Sequence, residues 1–187
     1  MNLRSLIGLG EDVKRIGLYG VGKSTLALKK LLPPDVEITL RSDTKIDRTK
    51  LLSDRRIVKI YDGDTASDRI CEQVIFFSPS VRRDTPALRR ASERGVVFSS
   101  ECEIFFKTVN APVYAVTGSD GKSTTSTLIS RLLSEKYGKV TLCGNIGVPF
   151  ISSEVGDVYV AELSSFQLTY LSAFTERAVI TNVTPNH

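Results

Sequence analysis

Short apolar runs alternate along the chain with longer stretches that have leucines at helical spacing and polar residues between them. The apolar runs are rich in Val, Ile and Phe and end at glycine, serine, proline or acidic residues, which is typical of buried parallel strands. Strands are predicted at residues 15–18, 36–40, 57–60, 73–77, 96–98, 113–116, 139–142, 158–161 and 178–181. Helices are predicted at residues 24–32, 85–94 and 123–136.

This alternation predicts an α/β fold with mostly parallel sheets covered by helices. The first part of the chain is expected to form a Rossmann-like parallel sheet. The segment TVNAP at residues 108–112 marks the predicted boundary, which gives two domains at 1–110 and 111–187. No helix is predicted after the last strand, so we expect the second domain to be truncated, either as an expressed fragment or as a shortened gene product.

The segment VYAVTGSDGKSTT at residues 113–125 carries the strongest chemical signal. An apolar strand enters a glycine loop, and a lysine and hydroxyl residues open a helix, which is the arrangement of a P-loop phosphate cradle. Lys122 would reach the β- and γ-phosphates of ATP, and the hydroxyl of Ser123 or Thr124 would hold Mg²⁺. The predicted ATP-binding residues are Gly118, Ser119, Asp120, Gly121, Lys122, Ser123 and Thr124.

An upstream segment, GLYGVGKS at residues 17–24, matches the Walker pattern at every fixed position, whereas Val116 replaces the first glycine in the later loop. Its context differs, however. A helix, a strand and the polar segment RSDT at residues 41–44 follow it, which is the layout of a dinucleotide-type βαβ unit. No apolar strand ending in a metal-binding carboxylate is evident in this half. We therefore favour a bound nucleotide diphosphate over hydrolysable ATP here, although the motif alone leaves both readings open.

Four positions beyond the loops could carry chemistry. Glu162 ends an apolar strand, where a carboxylate beside a P-loop commonly holds Mg²⁺, although an exposed strand-end glutamate is the simpler alternative. His187 is the only histidine and follows the segment NVTPN at residues 182–186. Asn145 lies in a glycine-flanked turn that could approach a ligand or be only a turn. Ser164 could hydrogen-bond a ligand or cap a helix.

The composition is that of an ordinary globular protein, with 187 residues, 25% charged residues and a net charge of +4. The arginines near the second predicted helix have no interleaved aromatic residues, so they predict a solvated basic face and no nucleic-acid partner. These arginines are Arg82, Arg83, Arg89, Arg90 and Arg94. The well-separated Cys71, Cys102 and Cys143 are expected to be free buried thiols in a reducing compartment.

Targeting signals are not evident. No apolar run approaches the roughly 20 residues that span a membrane. The residues before Glu11 lack the apolar core of a signal peptide. The expected location is therefore the cytoplasm, without a membrane partner.

Four ordered motifs resemble the Mur ligases of peptidoglycan synthesis. They are TGSDGKST at 117–124, GNIG at 144–147, ELSSFQ at 162–167 and NVTPNH at 182–187. The segment ELSSFQ resembles the members that add D-glutamate. The upstream glycine loop, SPS at 78–80 and ECEIFF at 101–106 are also similar to the family, so the resemblance covers nearly the whole chain.

The resemblance implies an enzyme with three domains, which bind the UDP moiety, bind ATP, and close over both. Lys122, Glu162 and His187 are implied to be catalytic, with Ser123, Glu162 and His187 as Mg²⁺ ligands. The implied contacts to the UDP-substrate are Gly17, Gly20, Val21, Gly22, Ser42, Ser78, Pro79, Asn145 and Ser164. The first domain resembles a complete one, the second is cut, and the third is absent.

The implied activity is ATP- and Mg²⁺-dependent addition of D-glutamate to UDP-N-acetylmuramoyl-L-alanine through an acyl phosphate. We expect a monomer, and we expect the 187-residue chain alone to form no amide bond because its third domain is missing. A truncated, non-catalytic module that binds a nucleotide or UDP-sugar is the alternative. The reading frame beyond His187 would distinguish the two.

Overall fold

The computed structural model describes residues 10–49 and 54–185. The expectation about a signal peptide concerns residues 1–9, and the roles predicted for His187 concern the last residue, so both lie outside the described residues. The chain divides into two compact units, Met1–Ile104 and Phe105–His187. The assignment of residues 1–110 to UDP-substrate binding and of 111–187 to ATP binding stays a prediction.

The first unit is a parallel sheet with helices between its strands. Its elements are β1 (Arg15–Tyr19), α1 (Lys23–Leu31), β2 (Glu37–Ser42), β3 (Ile57–Asp62), a 3₁₀ turn (Gly63–Thr65), β4 (Val74–Phe77), α2 (Pro86–Glu93) and β5 (Val97–Ser100). The strand order is β3-β2-β1-β4-β5, and every pairing is parallel. This is the Rossmann-like order, with its topological switch between β1 and β4.

The core of the first unit is formed by the central strands and the inner faces of both helices. Ile16, Ile38 and Ile75 have no exposed surface, as expected for strands of a parallel sheet that is covered on both faces. Leu28 of α1 and Leu88 of α2 are also fully buried. The apolar runs of β1, β2 and β4 therefore correspond to strands that are shielded on both sides.

The second unit is also parallel. Its elements are α3 (Glu101–Thr108, where the two units divide), β6 (Val113–Thr117), α4 (Lys122–Ser134), β7 (Val140–Gly144), a 3₁₀ turn (Phe150–Ser152), β8 (Val158–Glu162), α5 (Ser165–Leu168) and β9 (Arg177–Ile180). The strand order is β7-β8-β6-β9. Phe105 stacks on Phe150 at 4.8 Å between ring centroids and meets Tyr159 edge-on at 5.2 Å.

The predicted α/β class is confirmed, and every predicted strand and helix is present with ends shifted by at most two residues. Two helices were not predicted. The helix α3 follows β5 without an intervening turn, and α5 is a single turn.

Two expectations about side chains are wrong. Cys71 is exposed, although Cys102 and Cys143 are buried as expected. Arg83 is not part of a solvated face, because its guanidinium packs over the ring of Phe77 and pairs with Glu103 at 2.9 Å, with only 11% of its side chain exposed. Within the described ranges, no helix combines the length and the apolar character that crossing a bilayer requires.

Candidate functional site

The loop between β6 and α4 leaves the start of a helix open, which is the geometry that an anion site requires. Gly121 precedes α4 with φ 78° and ψ −1°, a left-handed conformation that favours glycine. A Cβ atom at this position would meet no other atom within 4 Å, so the backbone here borders open space. The first N–H groups of α4 have no intrahelical acceptor, and the helix dipole adds partial positive charge. Such a helix start binds phosphate without further adaptation.

The predicted phosphate-binding residues are contiguous around this helix start, but they differ in availability. The ammonium group of Lys122 donates to the carbonyl oxygens of Gly118 and Ser119, each at 2.7 Å, so it lies against the loop. Ser123 and Thr124 are exposed in the first turn of α4. The loop N–H groups expected to face phosphate oxygens are partly engaged elsewhere, because those of Ser119 and Asp120 donate to acceptors after β9.

Glu162 ends β8, directly beside β6, where its Cα pairs with that of Val116. The residue is only 2% exposed. One carboxylate oxygen, Oε1, accepts a hydrogen bond from Asn145 Nδ2 at 3.3 Å. The other oxygen, Oε2, is buried and has no hydrogen-bond partner within the described part of the chain. A buried carboxylate oxygen without a donor is costly unless a cation or proton compensates it.

These residues fit a Mg²⁺ ion that is shared with a nucleotide. Mg²⁺ prefers oxygen ligands and is commonly held by one or two carboxylates together with phosphate oxygens. Glu162 supplies the free carboxylate oxygen, and Ser123 supplies an exposed hydroxyl. In residues 10–49 and 54–185, no group of three or more His, Cys, Asp or Glu side chains could hold a metal alone. A Mg²⁺ ion held by Glu162 and Ser123 would take its remaining ligands from phosphate oxygens and water.

Asn145 supports Glu162 through two contacts. Its backbone N–H donates to the carbonyl oxygen of Glu162 at 3.0 Å, in addition to the side-chain bond. Gly144 makes this approach possible, because it has φ 105° and a Cβ there would overlap the Glu162 carbonyl oxygen. The glycine-flanked turn of the sequence thus holds the carboxylate in place.

Ser164 is the N-cap residue of α5. Its hydroxyl accepts from the N–H of Gln167 at 3.3 Å, and the Gln167 side-chain oxygen accepts from the N–H of Ser164 at 2.8 Å. Of the two roles considered for Ser164, the structure contains the helix cap. A substrate contact of Ser164 stays a prediction.

The first unit contains a cavity of about 490 Å³ at the carboxyl ends of its strands. It lies at the switch between β1 and β4, where open α/β sheets bind ligands. Gly20 has φ 83°, and a Cβ there would lie 2.5 Å from Ser78 Cβ, so only glycine allows the two loops to approach this closely. The predicted residues that line the cavity are Gly20, Val21, Gly22, Ser42 and Ser78.

Four predicted UDP-substrate residues lie elsewhere. Gly17 is inside β1, paired with Thr39 and Ile75. Pro79 is flanked by two lining serines but does not itself line the cavity. Asn145 and Ser164 belong to the second unit.

Sequence analysis identified the polar segment after β2 but named only Ser42 from it as a substrate contact, whereas Asp43, Thr44 and Lys45 also line the cavity. The available signal was the acidic residue about 20 positions after the glycine turn, which contacts ribose in dinucleotide-binding folds. In this structure the carboxylate of Asp43 accepts a hydrogen bond from the Tyr19 hydroxyl at 2.7 Å. Burial raises the pKa of Tyr19, so this hydroxyl stays protonated.

One strand of the first unit does end in a carboxylate, because the partly exposed strand β3 ends at Asp62, which is 6% exposed. This carboxylate accepts hydrogen bonds from the Ile46 N–H at 3.0 Å and from the Lys45 ammonium at 3.2 Å. These bonds, that of Ile46 first, lower the pKa of Asp62. Unlike Glu162, Asp62 therefore already has donors for both oxygens.

Known proteins with similar sequences are Mur ligases. A family model described as the Mur ligase middle domain matches residues 116–187. The UDP-N-acetylmuramoylalanine–D-glutamate ligase of Acetivibrio thermocellus is 39% identical over 93% of this chain and 39% of its own length. The corresponding ligase of Ruminiclostridium cellulolyticum is 40% identical over 95% of this chain and 40% of its own length. The chain thus spans about two fifths of the length of these curated relatives.

Solved structures share the fold. The UDP-N-acetylmuramate:L-alanyl-γ-D-glutamyl-meso-diaminopimelate ligase of Neisseria meningitides matches with a TM-score of 0.53 and 17% identity, over 94% of this chain and 62% of that protein. The UDP-N-acetylmuramate–alanine ligase of Thermotoga maritima matches with a TM-score of 0.50 and 22% identity, over 92% and 42% of the respective chains. The sequence relatives and the middle-domain match show that the chain belongs to the Mur ligase family.

Proposed function

We propose that this chain provides the UDP-substrate-binding unit and part of the ATP-binding unit of a ligase that adds D-glutamate to UDP-N-acetylmuramoyl-L-alanine. The observation that carries the proposal is the similarity of 36–40% identity, over at least 93% of the chain, to proteins named as the D-glutamate ligase. The reaction consumes ATP, forms an acyl phosphate on the alanine carboxylate and releases phosphate as the D-glutamate amine attacks. We place the protein in the cytoplasm as a monomer, without nucleic-acid or membrane partners.

The second unit supplies the groups that hold ATP. The start of α4 and the Lys122 ammonium bind its phosphates, since both present positive charge beside the loop. Ser123 and the free oxygen of Glu162 hold Mg²⁺, with Asn145 fixing the carboxylate. When bound, the metal neutralises negative charge on the transferring phosphoryl group. The role of His187 as a further metal ligand belongs to the same proposal.

The first unit holds the uridine diphosphate group. The glycine turn after β1 and the loop after β4 offer close backbone approach to a diphosphate, and Asp43 lies where dinucleotide folds recognise ribose. The side chain of Lys45 is 85% exposed, so its ammonium group can turn towards a phosphate. The cavity of about 490 Å³ is within the size range of nucleotide-sized ligand sites.

The test is a binding comparison on the 187-residue chain. We expect UDP-N-acetylmuramoyl-L-alanine and UDP to shift the NMR signals of Gly20 and Ser78, whereas MgADP should shift those around Lys122. NAD should not displace UDP. If millimolar UDP leaves Gly20 and Ser78 unchanged, or NAD competes with it, the assignment of the first unit is wrong. If MgADP shifts signals at Lys23 and none at Lys122, the assignment of the second unit is wrong.

A further inference from the structure

The segment that follows β9 lies against the phosphate loop. The strands β6 and β9 are parallel, and Thr117 is paired with Ile180. The segments that follow the two strands therefore leave the sheet side by side. The N–H of Thr181 extends this pairing by donating to the Thr117 carbonyl oxygen at 2.9 Å. Residues far apart in sequence are thereby brought to the loop that carries Lys122.

Asn182 makes three hydrogen bonds to this loop. Its backbone carbonyl accepts from the N–H of Ser119 at 3.0 Å. Its side-chain Oδ1 accepts from the N–H of Asp120 at 3.0 Å, and its Nδ2 donates to the carbonyl oxygen of Asp120 at 3.2 Å. One primary amide thus holds both backbone polar groups of Asp120, as a neighbouring strand would.

The flanking residues strengthen the same contact. The hydroxyl of Thr181 donates to the carbonyl oxygen of Asp120 at 2.6 Å. The hydroxyl of Ser119 accepts from the N–H of Thr184 at 2.9 Å and lies 3.2 Å from the Thr184 carbonyl oxygen. Gly118 has φ 138°, and a Cβ there would overlap the Thr181 hydroxyl and lie 2.9–3.0 Å from backbone atoms of Asn182. The close approach of the loop to this segment therefore requires glycine at position 118.

We propose that Asn182 is a positioning residue for the phosphate loop, an inference that rests on the proposed function of this loop in binding ATP. Asn182 turns the N–H groups of Ser119 and Asp120 away from the ligand and fixes the path of the loop. The phosphates are then left to the start of α4 and to Lys122. Without this clamp the loop gains conformational freedom, which binding must remove at a free-energy cost.

The experiment uses the 187-residue chain with Asn182→Ala and, as a second variant, Thr181→Val. Asn182 is exposed, so its truncation leaves no cavity. Asn110→Ala is the matched control, since Asn110 is an exposed asparagine of the same unit. Amide hydrogen exchange of Ser119 and Asp120 is measured without ligand. Affinities for MgADP and for AMP are measured by calorimetry.

In Asn182→Ala we expect faster exchange at Asp120, which loses its side-chain acceptor, and a smaller increase at Ser119, whose acceptor is the backbone carbonyl of residue 182. MgADP binding should weaken roughly 10-fold, the effect of losing one or two hydrogen bonds. AMP, with fewer phosphates to place on the loop, should lose less. Thr181→Val should act in the same direction, and Asn110→Ala should change neither quantity.

Unchanged exchange in both variants would overturn the inference, as would unchanged MgADP affinity or an equal loss for AMP and ADP. If the unmodified chain binds no MgADP, the proposed function of the loop fails instead. The exchange rates then still decide whether Asn182 holds the loop.

Discussion

The two glycine loops lead into the same sequence, Gly-Lys-Ser, at residues 22–24 and 121–123, yet their surroundings differ. In the upstream loop, β1 continues to Tyr19, so the first glycine of the motif, Gly17, is a strand residue. Only Gly20, Val21 and Gly22 then separate the strand from α1. The upstream loop is therefore shorter than its motif suggests.

The later loop is one residue longer, because β6 ends at Thr117 and α4 begins at Lys122. It is also held by several hydrogen bonds from the segment after β9. The upstream loop has one bond of this kind, from the Gly20 N–H to the Arg41 carbonyl oxygen at 2.7 Å, and is otherwise held by a residue of the helix that follows it. There the N–H of Gly22 donates to the Thr25 hydroxyl at 3.1 Å, and this hydroxyl donates to the Gly20 carbonyl oxygen. The match to the motif thus predicts the start of a helix in both places but not the shape of the loop.

The neighbouring carboxylates complete the contrast. In the first unit, Asp62 at the end of β3 has donors for both of its oxygens. In the second unit, Glu162 at the end of β8 keeps one buried oxygen without a partner. A metal that bridges phosphates needs such an oxygen, so this difference between the two described carboxylates favours our proposal that ATP binds at the later loop.

Of the substitutions that test this difference between the two loops, those at glycine should have the largest effects on stability and binding. We expect Gly118→Ala to destabilise the second unit by about 3 kcal/mol and to lower MgADP affinity by more than roughly 100-fold, because it combines backbone strain with overlap. Gly22→Ala is the control, since Gly22 has φ −106° and a Cβ there would lie no closer than 3.6 Å to another residue. Its cost should stay within about 1 kcal/mol. Chemical denaturation measures the stability of the two variants, and calorimetry measures their MgADP affinity. Equal effects of the two substitutions would contradict this account.

The lysines give the next largest difference. A lysine–phosphate contact contributes about 1.5–3 kcal/mol, so Lys122→Ala should weaken MgADP binding roughly 10- to 100-fold and leave UDP binding unchanged. Lys23→Ala should leave MgADP binding unchanged because Lys23 belongs to the first unit. It should change UDP binding little, because its exposed side chain does not line the cavity. Titrations of both ligands against both variants check this. Loss of MgADP binding in Lys23→Ala alone would reverse the assignment of the two loops.

Glu162→Gln should separate metal binding from folding. Removal of a buried charge should raise the free energy of unfolding by about 1 kcal/mol without Mg²⁺. The strengthening of ADP binding by Mg²⁺, on the order of 10-fold, should disappear because the free carboxylate oxygen is lost. Glu176→Gln, at an exposed carboxylate of the same unit, is the control and should keep the response to Mg²⁺. A Glu162→Gln protein that still responds to Mg²⁺ would exclude Glu162 as a ligand.

Sequence patterns predicted the order of elements well, because buried parallel strands are short apolar runs with clear ends. The helix α3 was missed since it begins at Glu101, immediately after β5 ends at Ser100, and no glycine or proline separates the two. Contacts between distant residues have no local signal. The clamp of Asn182 on Asp120 spans 62 positions, and it changes which loop N–H groups can face a phosphate.

Burial of charged residues was equally invisible in the sequence. Arg41 was expected to belong to a polar strand end, yet it is fully buried and donates to Glu72 at 2.8 Å and to the carbonyl oxygens of Ala66 and Asp68. Only the fold supplies these acceptors, because the segment that contains them follows β3. The positions of Lys122 at the start of α4, of Glu162 at the end of β8 and of the glycine turns were predictable, since each follows from residue type and place at a strand end.

The smallest expected effect concerns the end of α1 that is remote from the upstream loop. Asp54 accepts hydrogen bonds from Arg56 and from Lys29, and the Arg56 guanidinium also donates to the carbonyl oxygen of Leu32 at 2.7 Å. These side chains tie the last turn of α1 to the segment before β3. Hydrogen bonds from Arg56 in the first place, and then from Lys29, hold the pKa of Asp54 well below its usual range.

A depressed carboxyl pKa stabilises the folded state above the unfolded pKa of about 4, and this contribution is lost as the pH falls through the folded value. Asp54→Asn should therefore lower the free energy of unfolding by about 1 kcal/mol at pH 7, and the difference from the unmodified chain should shrink below about pH 4. Asp64→Asn, at an exposed carboxylate of the same unit, should have little effect at either pH. Urea unfolding at several pH values measures this, together with MgADP binding, which should not change. A pH-independent loss in Asp54→Asn would mean that packing, and not the ion pair, anchors α1.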